Sequence, residues 1–294
     1  MHAEWIVPRW PVPPQVRAVF STRAGGTSPA PWDSMNLGDH VDDEPERVRA
    51  NRKLLAKAVG VPAVFLRQVH GCDVITLTPT TPQSCTADAS VTVQRKLACT
   101  IMVADCLPVL LASADGRVVG AAHAGWRGLA GTTPVGTVTG KRGVLEELYD
   151  SFSSLAQLNL GHAAIKIKAD VLAWLGPCIG PSAFEVGCEV KAAFEAAHQE
   201  AGQCFRRSAN GKYLCDLAAL ARLRLKALGI NQVYGNDSSP AWCTVSNPAR
   251  FYSHRRDTAP ALATARAGLN GVRAVAGGSG LRTTGRMAAC IWLA

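Results

Sequence analysis

Long apolar segments are absent from this sequence of 294 residues. No stretch approaches the roughly 18 consecutive apolar residues that a membrane-spanning helix requires. Residues 1–19 carry charges and prolines where a secretory leader would need an apolar core. We therefore expect a cytoplasmic protein that makes no contact with a membrane.

Short cysteine motifs are also missing, although the chain contains ten cysteines. No two of them have the C-x-x-C spacing of a zinc ribbon or a thioredoxin-like redox site. Most lie in apolar surroundings, as Cys99 does beside Ala98, which is typical of reduced cysteines packed in a core. The sequence likewise has neither a G-x-x-x-x-G-K phosphate loop nor a dinucleotide-binding glycine motif.

Aromatic residues are few, with four tyrosines and seven phenylalanines, and no run of five basic residues occurs. A nucleic-acid groove usually interleaves aromatic with basic side chains, so we expect no nucleic-acid partner. The net charge of +9 is compatible with a soluble basic surface and also with attraction of an anionic substrate.

The apolar periodicity indicates helices and strands in irregular order. Helices are predicted at 45–59, ended by Gly60, and at 144–158, 186–201 and 214–228, with Asp216 as the N-cap of the last. Strands are predicted at 16–22, 64–69, 90–93, 98–103, 108–112, 118–122, part of 165–175, 233–234, 250–253 and 289–293. This order lacks a regular βαβ alternation and favours an α+β fold with mixed sheets.

The chain has no linker-like stretch in its middle. We therefore expect one domain over residues 1–294. Two segments have the composition of surface insertions within it. Residues 132–143 are rich in Thr, Gly and Val, and residues 258–284 are rich in Ala, Gly and Arg.

Three residues that could bind a metal share a local pattern. Each of His70, Cys106 and His123 ends a short apolar strand in the sequence and lies next to a turn residue. Neighbouring strands are about 4.8 Å apart, so side chains at their ends can converge. Two imidazoles and one thiolate suit zinc, and three protein ligands leave a position open for water or substrate. The pattern predicts a catalytic zinc site.

The same residues support a metal-free alternative. Cys106 could be a thiolate nucleophile, with His123 as its base and Asp105 as a neighbour that tunes the charge. Sequence spacing does not separate a zinc enzyme from a Cys–His hydrolase.

Arginines form a second candidate group. Arg23 lies in a Gly-rich turn, Arg127 follows close after His123, and Arg255 and Arg256 end a predicted late strand. Guanidinium groups bind phosphate well, so these four residues are the candidates for an anion site.

Short motifs lie in order along nearly the whole chain. They are FSTRAGGTS at 20–28, NLG at 36–38, QVHG at 68–71, ADA at 87–89, ADCLP at 104–108, HAGWRG at 123–128, LGPCIGP at 175–181, FYSHRRD at 251–257 and TGR at 284–286. Together these motifs resemble the YfiH-like family, which is also described as laccase-domain or multicopper polyphenol oxidase proteins.

The resemblance implies a fold and an activity. The fold is a single α+β domain in which two mixed sheets face each other between helical layers. The activity is phosphorolysis of adenosine, inosine and methylthioadenosine, with adenosine deamination as a second reaction. Purine nucleosides and phosphate would be the partners, and the protein would be a monomer or a homodimer.

The resemblance also implies a cofactor and site residues. His70, Cys106 and His123 would be the zinc ligands, with copper as the alternative metal from the older family description. The matching motifs add Asn36, Gln68 and Asp105 to the candidate substrate or phosphate ligands.

Two further activities follow from the resemblance. Some bacterial relatives are linked to editing of peptidoglycan precursors, and the older description implies a polyphenol oxidase. A blue-copper oxidase needs many histidines for its copper centres, and this chain has seven. The chain departs from the usual motif spacing at 132–143, and at 258–284, which separates Asp257 from the TGR motif.

Overall fold

The computed structural model describes residues 2–131, 142–160, 171–258 and 283–294. The strands are β1 (Val16–Phe20), β2 (Ala63–Phe65), β3 (Val74–Thr76), β4 (Ala89–Thr92), β5 (Ala98–Val103), β6 (Leu107–Ser113), β7 (Val119–Ala124), β8 (Val171–Leu175), β9 (Glu185–Val186), β10 (Phe205–Arg207), β11 (Tyr213–Cys215), β12 (Gln232–Gly235) and β13 (Met287–Leu293). The α-helices are α1 (Pro45–Val59), α2 (Trp126–Ala130), α3 (Val144–Leu160), α4 (Cys188–Glu195), α5 (Leu217–Ala227) and α6 (His254–Asp257).

Two mixed sheets form the centre of the fold. The four-stranded sheet has the order β1-β13-β5-β2, and the six-stranded sheet has the order β12-β8-β6-β7-β4-β3. Most neighbours are antiparallel, while β2–β5, β3–β4 and β8–β12 are parallel pairs. A short three-stranded sheet, β10-β11-β9, is hydrogen-bonded to neither of them.

The central sheets face each other through alternate side chains of their strands. Leu110 and Ala112 of β6 pack in one core with Ile101 of β5 and Ile291 of β13. Side chains alternate between the two faces of a strand, so Leu111 of β6 belongs to a different core on the far side. The two sheets therefore enclose a shared apolar layer.

Helices cover the outer faces of both sheets. Leu55 and Val59 of α1 pack against the outer face of the four-stranded sheet. Leu148 and Phe152 of α3, with Leu225 of α5, pack on the outer face of the six-stranded sheet. The expected α+β fold, with facing sheets between helical layers, is confirmed.

The predicted bounds of α1 and the predicted N-cap of α5 are confirmed. Helix α1 has the predicted bounds, and Gly60 follows it with the left-handed φ of 76° that glycine adopts readily. The Asp216 carboxylate accepts a hydrogen bond from the backbone N–H of Ala219 at 2.9 Å, which confirms it as the N-cap of α5.

Several predicted elements were wrong in extent or type, and the strand predicted at 64–69 ends at Phe65. Residues 186–201 were predicted as one helix, but Val186 lies in β9 and α4 ends at Glu195. The helix predicted from residue 214 begins at Leu217, because residues 213–215 pair with β9 and β10. Residues 250–253 form no strand, since Ser253 instead caps α6.

Parts of both predicted insertions lie outside the described residues, at 132–141 and 259–282, as do residues 165–170 of the region 165–175 that is predicted as partly strand. In the part of the chain that the structure describes, no helix is long and apolar enough to cross a lipid bilayer.

Candidate functional site

The structure brings His70, Cys106 and His123 together. One ligand atom from each residue lies within 4.8 Å of the other two. The two imidazole rings meet edge to face, with their centroids 4.8 Å apart. His123 is buried, Cys106 is half-buried and His70 is exposed, so the group is open on one side.

The three residues reach this point by different routes, which corrects the prediction that each ends a strand. Only His123 lies within a strand, where β7 pairs it with Pro108 of β6. Cys106 lies in the tight connection between β5 and β6. His70 lies in a loop beyond β2 and has a left-handed φ of 61°.

Gly125 leaves the space in which two of these side chains meet. A Cβ atom at this position would lie 2.9 Å from Cδ2 of His70 and 3.0 Å from Sγ of Cys106. Any larger residue would therefore push the imidazole and the thiol apart.

Asp88 is the residue that organises the site. Its buried carboxylate accepts hydrogen bonds from the backbone N–H groups of Val69, His70 and Gly71 at 3.1, 2.9 and 2.7 Å. It also lies 2.8 Å from Nδ1 of His123. One carboxylate thus fixes the His70 loop and leaves Nε2 of His123 available to a metal.

Asp88 had no role assigned from the sequence, although it lies in the ADA motif. The carboxylate is buried, which raises its pKa, but the hydrogen bonds from His123 and the backbone outweigh burial and lower the pKa overall. Asp88 therefore stays ionised and holds a negative charge behind the His123 imidazole.

Cys106 and His123 shift each other's protonation. Burial raises the pKa of the Cys106 thiol, but the charge and hydrogen bond of His123 outweigh it and bring the pKa to about 6. Burial lowers the pKa of His123, but the Cys106 thiolate and Asp88 outweigh it and bring the pKa to about 9. Without metal, the pair is a thiolate and an imidazolium at neutral pH.

This pairing predicts a pH-dependent reactivity of Cys106 in chelator-treated protein. Alkylation by iodoacetamide should rise as the pH increases through about 6, where the thiolate forms, and level off above pH 7. Mass spectrometry of the peptide that contains Cys106 measures the rate. His123→Gln should move the midpoint upward because the cation is lost, and a wild-type midpoint near pH 9 would contradict the assignment.

A cavity of about 250 Å³ adjoins the three residues. Small-molecule sites in proteins usually measure about 300–1,000 Å³, so this cavity suits a compact ligand. Its apolar lining consists of Met102, Val103, Ala104, Trp126, Ile179, Phe184 and Leu217. Its polar lining, apart from the three clustered residues, consists of His40, Gln68, Asp105, Arg127, His254, Arg255 and Arg286.

Four of the predicted substrate ligands line this cavity: Gln68, Asp105, Arg127 and Arg255. The Gln68 amide is tied to the backbone of Met102 by two hydrogen bonds of 2.8 Å. Arg127 stacks on the Trp126 ring at 4.5 Å. Both side chains are therefore held at the cavity wall.

The Asp105 carboxylate connects two segments of the cavity wall. One carboxylate oxygen accepts from the Thr244 hydroxyl at 2.5 Å, and the other accepts from the backbone N–H of Arg255 at 2.6 Å. The carboxylate joins the β5–β6 connection to α6. Asp105 therefore supports both Cys106 and Arg255 from behind.

Arg23 and Arg256 are not brought to the cavity. Arg23 is hydrogen-bonded to Asp33 and to the backbone oxygen of Pro248. Arg256 pairs with Asp257 at 2.7 Å and donates to backbone oxygens, including that of Thr244. Both side chains join loops to one another.

Asn36 is buried and is likewise absent from the cavity lining. Its amide nitrogen donates to the backbone oxygen of Gly38 and to Asp43. Its amide oxygen accepts from the backbone N–H groups of Gly38 and Arg286, both at 2.9 Å. Asn36 thus joins two distant segments of the chain.

Sequence reasoning missed His40, His254 and Arg286 as cavity residues. Each lies in a stretch that matched the family motifs or adjoins one, and none had been given a role. The long spacing between Asp257 and the TGR motif does not separate them in space. The Thr284 hydroxyl donates to the Asp257 carboxylate at 2.7 Å.

The chain is similar to proteins of known sequence. Residues 17–265 match the family described as multi-copper polyphenol oxidoreductase laccase. A Pseudomonas aeruginosa protein named purine nucleoside phosphorylase is 46% identical over 255 residues, covering 86% of this chain and 93% of that protein. Purine nucleoside phosphorylase YfiH of Escherichia coli is 42% identical over 290 residues, covering 98% of both.

The fold is also similar to solved structures. A Neisseria meningitidis protein has a TM-score of 0.79 and 37% identity, covering 99% of both chains. A Bacillus licheniformis hypothetical protein called YfiH has a TM-score of 0.72 and 26% identity, covering 95% of this chain and 93% of that one.

Proposed function

We propose that this chain, which belongs to the multi-copper polyphenol oxidoreductase laccase family that includes YfiH, is a zinc-dependent purine nucleoside phosphorylase. Its substrates would be adenosine, inosine and methylthioadenosine, with adenosine deamination as a second reaction. The observation that carries the proposal is the convergence of His70, Cys106 and His123 on one wall of a cavity.

The donor set fits zinc. Zinc in catalytic sites takes three protein ligands, prefers imidazole nitrogen and thiolate sulfur, and leaves a fourth position open. A carboxylate behind a ligating imidazole, as Asp88 lies behind His123, is the usual supporting arrangement. When bound, a zinc ion supplies Lewis-acid chemistry that polarises a reacting oxygen or a water molecule.

The cavity walls would bind and orient the nucleoside. Trp126, Phe184 and Ile179 provide apolar surface for a flat purine base. Gln68 and the cationic residues provide hydrogen-bonding groups for the sugar and the phosphate. Phosphorolysis needs these two kinds of surface side by side.

Copper and the oxidase activity have less support. Thiolate and imidazole also bind copper, so copper remains the alternative metal. A multicopper oxidase needs further clusters of histidines. Within residues 2–131, 142–160, 171–258 and 283–294, the described part of the chain, one group of three metal-binding side chains is found.

Incubation of the purified, zinc-loaded protein with adenosine and phosphate tests the proposal. We expect adenine and ribose 1-phosphate when phosphate is present, because the anion is the attacking group. We expect inosine from the deamination reaction without phosphate. Chromatography separates all of these products, and finding neither ribose 1-phosphate nor inosine would overturn the proposal.

A Cys–His hydrolase, acting for example on peptidoglycan precursors, is the second candidate. It is favoured by the Cys106 thiolate beside His123, which Asp88 in turn orients, because this is the arrangement of a catalytic triad. A chelator would leave such an activity intact, whereas alkylation of Cys106 would abolish it. The zinc enzyme predicts loss of activity with chelator and recovery when zinc is returned.

The working context is proposed as well. The protein would act in the cytoplasm as a monomer or homodimer, and as a single domain over 1–294 with insertions at 132–143 and 258–284. All ten cysteines are free thiols in the structure, which suits a reducing compartment.

A further inference from the structure

Arg286 places a half-buried positive charge in the cavity wall. Its Nη1 donates to the backbone oxygens of Thr284 and Gly285 at 2.9 and 3.3 Å. Among the described residues, no carboxylate lies within ion-pairing distance of its guanidinium group. Burial lowers the pKa of Arg286, and the charges of Cys106 and Asp105 offset part of that effect. An anion that enters the cavity and pairs with the guanidinium would stabilise this half-buried cation.

Two histidines share this part of the cavity. His40 and His254 both line it, and the Arg286 charge adds to burial in lowering the pKa of each imidazole. A neutral imidazole has one N–H to donate, and an anion would compete with the Asp39 carboxylate, 3.5 Å from Nδ1, for that of His40. Arg286 and these two rings therefore offer several donors toward one space.

The nearby carboxylates are already engaged. Asp39 pairs with the Arg52 guanidinium at 3.1 Å, and its other oxygen lies 3.5 Å from Nδ1 of His40. Asp105, whose charge acts on His254 and Arg286, has its two oxygens bound to the Thr244 hydroxyl and the Arg255 backbone. Neither carboxylate forms an ion pair with the Arg286 guanidinium.

The position of Arg286 is built into the fold. The Asn36 amide oxygen holds the backbone N–H of Arg286, and the Arg286 carbonyl accepts from the N–H of Leu37 at 3.0 Å. Gly38 makes room for the side chain, since a Cβ there would lie 2.7 Å from Cγ of Arg286. The loop that carries His40 thus packs directly on the Arg286 stem.

We propose that Arg286, with His40 and His254, forms the phosphate subsite of this enzyme. The assignment rests on the proposed function and specifies where the attacking inorganic phosphate binds. The same groups would hold the phosphate of the sugar 1-phosphate product, because the phosphate becomes that ester. A guanidinium group offers paired donors that match two phosphate oxygens, and the imidazoles reach further oxygens.

Arg286→Gln tests the subsite, with Arg207→Gln as the matched control because Arg207 is exposed and outside the cavity. Loss of a charge-assisted donor pair should raise the KM for phosphate by about 10- to 100-fold. The zinc content should stay at the wild-type value, since Arg286 is not one of the three proposed ligands, and the KM for phosphate should rise more than the KM for adenosine. Arg207→Gln should leave the KM for phosphate unchanged.

Direct titration of inorganic phosphate by calorimetry separates this proposal from the proposed function. Phosphate binding that Arg286→Gln abolishes, in a protein without phosphorolysis, supports the subsite and overturns the function. Wild-type phosphate affinity in Arg286→Gln overturns the subsite. Titration of ribose 1-phosphate is the second part of the experiment. Arg286→Gln should weaken the binding of ribose 1-phosphate in parallel with the binding of inorganic phosphate. If Arg286→Gln weakened the binding of ribose 1-phosphate but not that of inorganic phosphate, the assignment would be overturned.

Three milder variants keep the test decisive if Arg286→Gln does not fold. His40→Asn and His254→Asn each remove one donor and should raise the KM for phosphate by about fivefold or more. Gly38→Ala should have a similar effect by displacing the Arg286 stem. Unchanged phosphate KM values in all three folded variants would contradict the subsite.

Discussion

Replacement of Cys106 by alanine is expected to remove the bound metal and to lower kcat/KM for phosphorolysis by about a thousandfold or more. A thousandfold loss corresponds to about 4 kcal/mol of transition-state stabilisation, which is the scale that a catalytic metal contributes. Cys106 supplies the one charged ligand of the three. Of the two imidazoles that would remain, that of His70 belongs to an exposed loop residue. Elemental analysis and steady-state kinetics measure the two effects.

Cys188→Ala is the control for this substitution. Cys188 is exposed at the start of α4 and lies outside the cavity lining. The control should keep wild-type metal content and activity. A Cys106→Ala protein that still binds one equivalent of metal and keeps a tenth of the wild-type activity would contradict the assignment of Cys106 as a ligand.

Asp88→Asn is expected to have the second-largest effect, on both metal affinity and stability. The carboxylate accepts three backbone N–H groups and supports Nδ1 of His123. An amide has a single acceptor oxygen, so buried donors lose their partner at about 1–3 kcal/mol each. Loss of a partner behind a ligating histidine typically weakens metal binding by about 10- to 100-fold.

Chemical denaturation of the metal-free protein and competition with a metal chelator measure these two effects separately. Asp237→Asn is the matched control, because Asp237 is exposed and belongs to a loop away from the cavity. It should change the free energy of unfolding by no more than about 0.5 kcal/mol. Wild-type zinc affinity in Asp88→Asn would show that Asp88 does not organise the site.

Local sequence signals predicted the elements whose determinants lie within the element itself. Helix α1 has an amphipathic pattern ended by Gly60, and β5 is a continuous apolar run at 98–103. Asp216 caps α5 through a contact three residues away. In each case, the residues that decide the structure are neighbours in sequence.

Elements decided by distant contacts were predicted less well. Residues 185–186 and 213–215 pair with each other across the chain, so their apolar pattern was assigned to the adjoining helices. Ser253 looked like the end of a strand, but its side chain accepts from the backbone N–H of Arg256 and starts a helix instead.

In the candidate site, too, the residues were predicted from local motifs, whereas their long-range contacts were not. His70, Cys106 and His123 were identified from residue chemistry and from the resemblance to the YfiH-like family, and that resemblance and its fold are confirmed. The contact between Asn36 and Arg286 spans 250 positions, and the Asp88–His123 contact spans 35. No local pattern encodes such contacts, so the roles of Asp88 and Arg286 became visible only in three dimensions.

Activity as a function of zinc added back to chelator-stripped protein tests the central claim most directly. Ribose 1-phosphate formation from adenosine and phosphate should be absent without zinc. It should rise linearly and stop rising at one equivalent, where the group of His70, Cys106 and His123 is filled. Full activity in protein shown by elemental analysis to contain no metal would contradict the account.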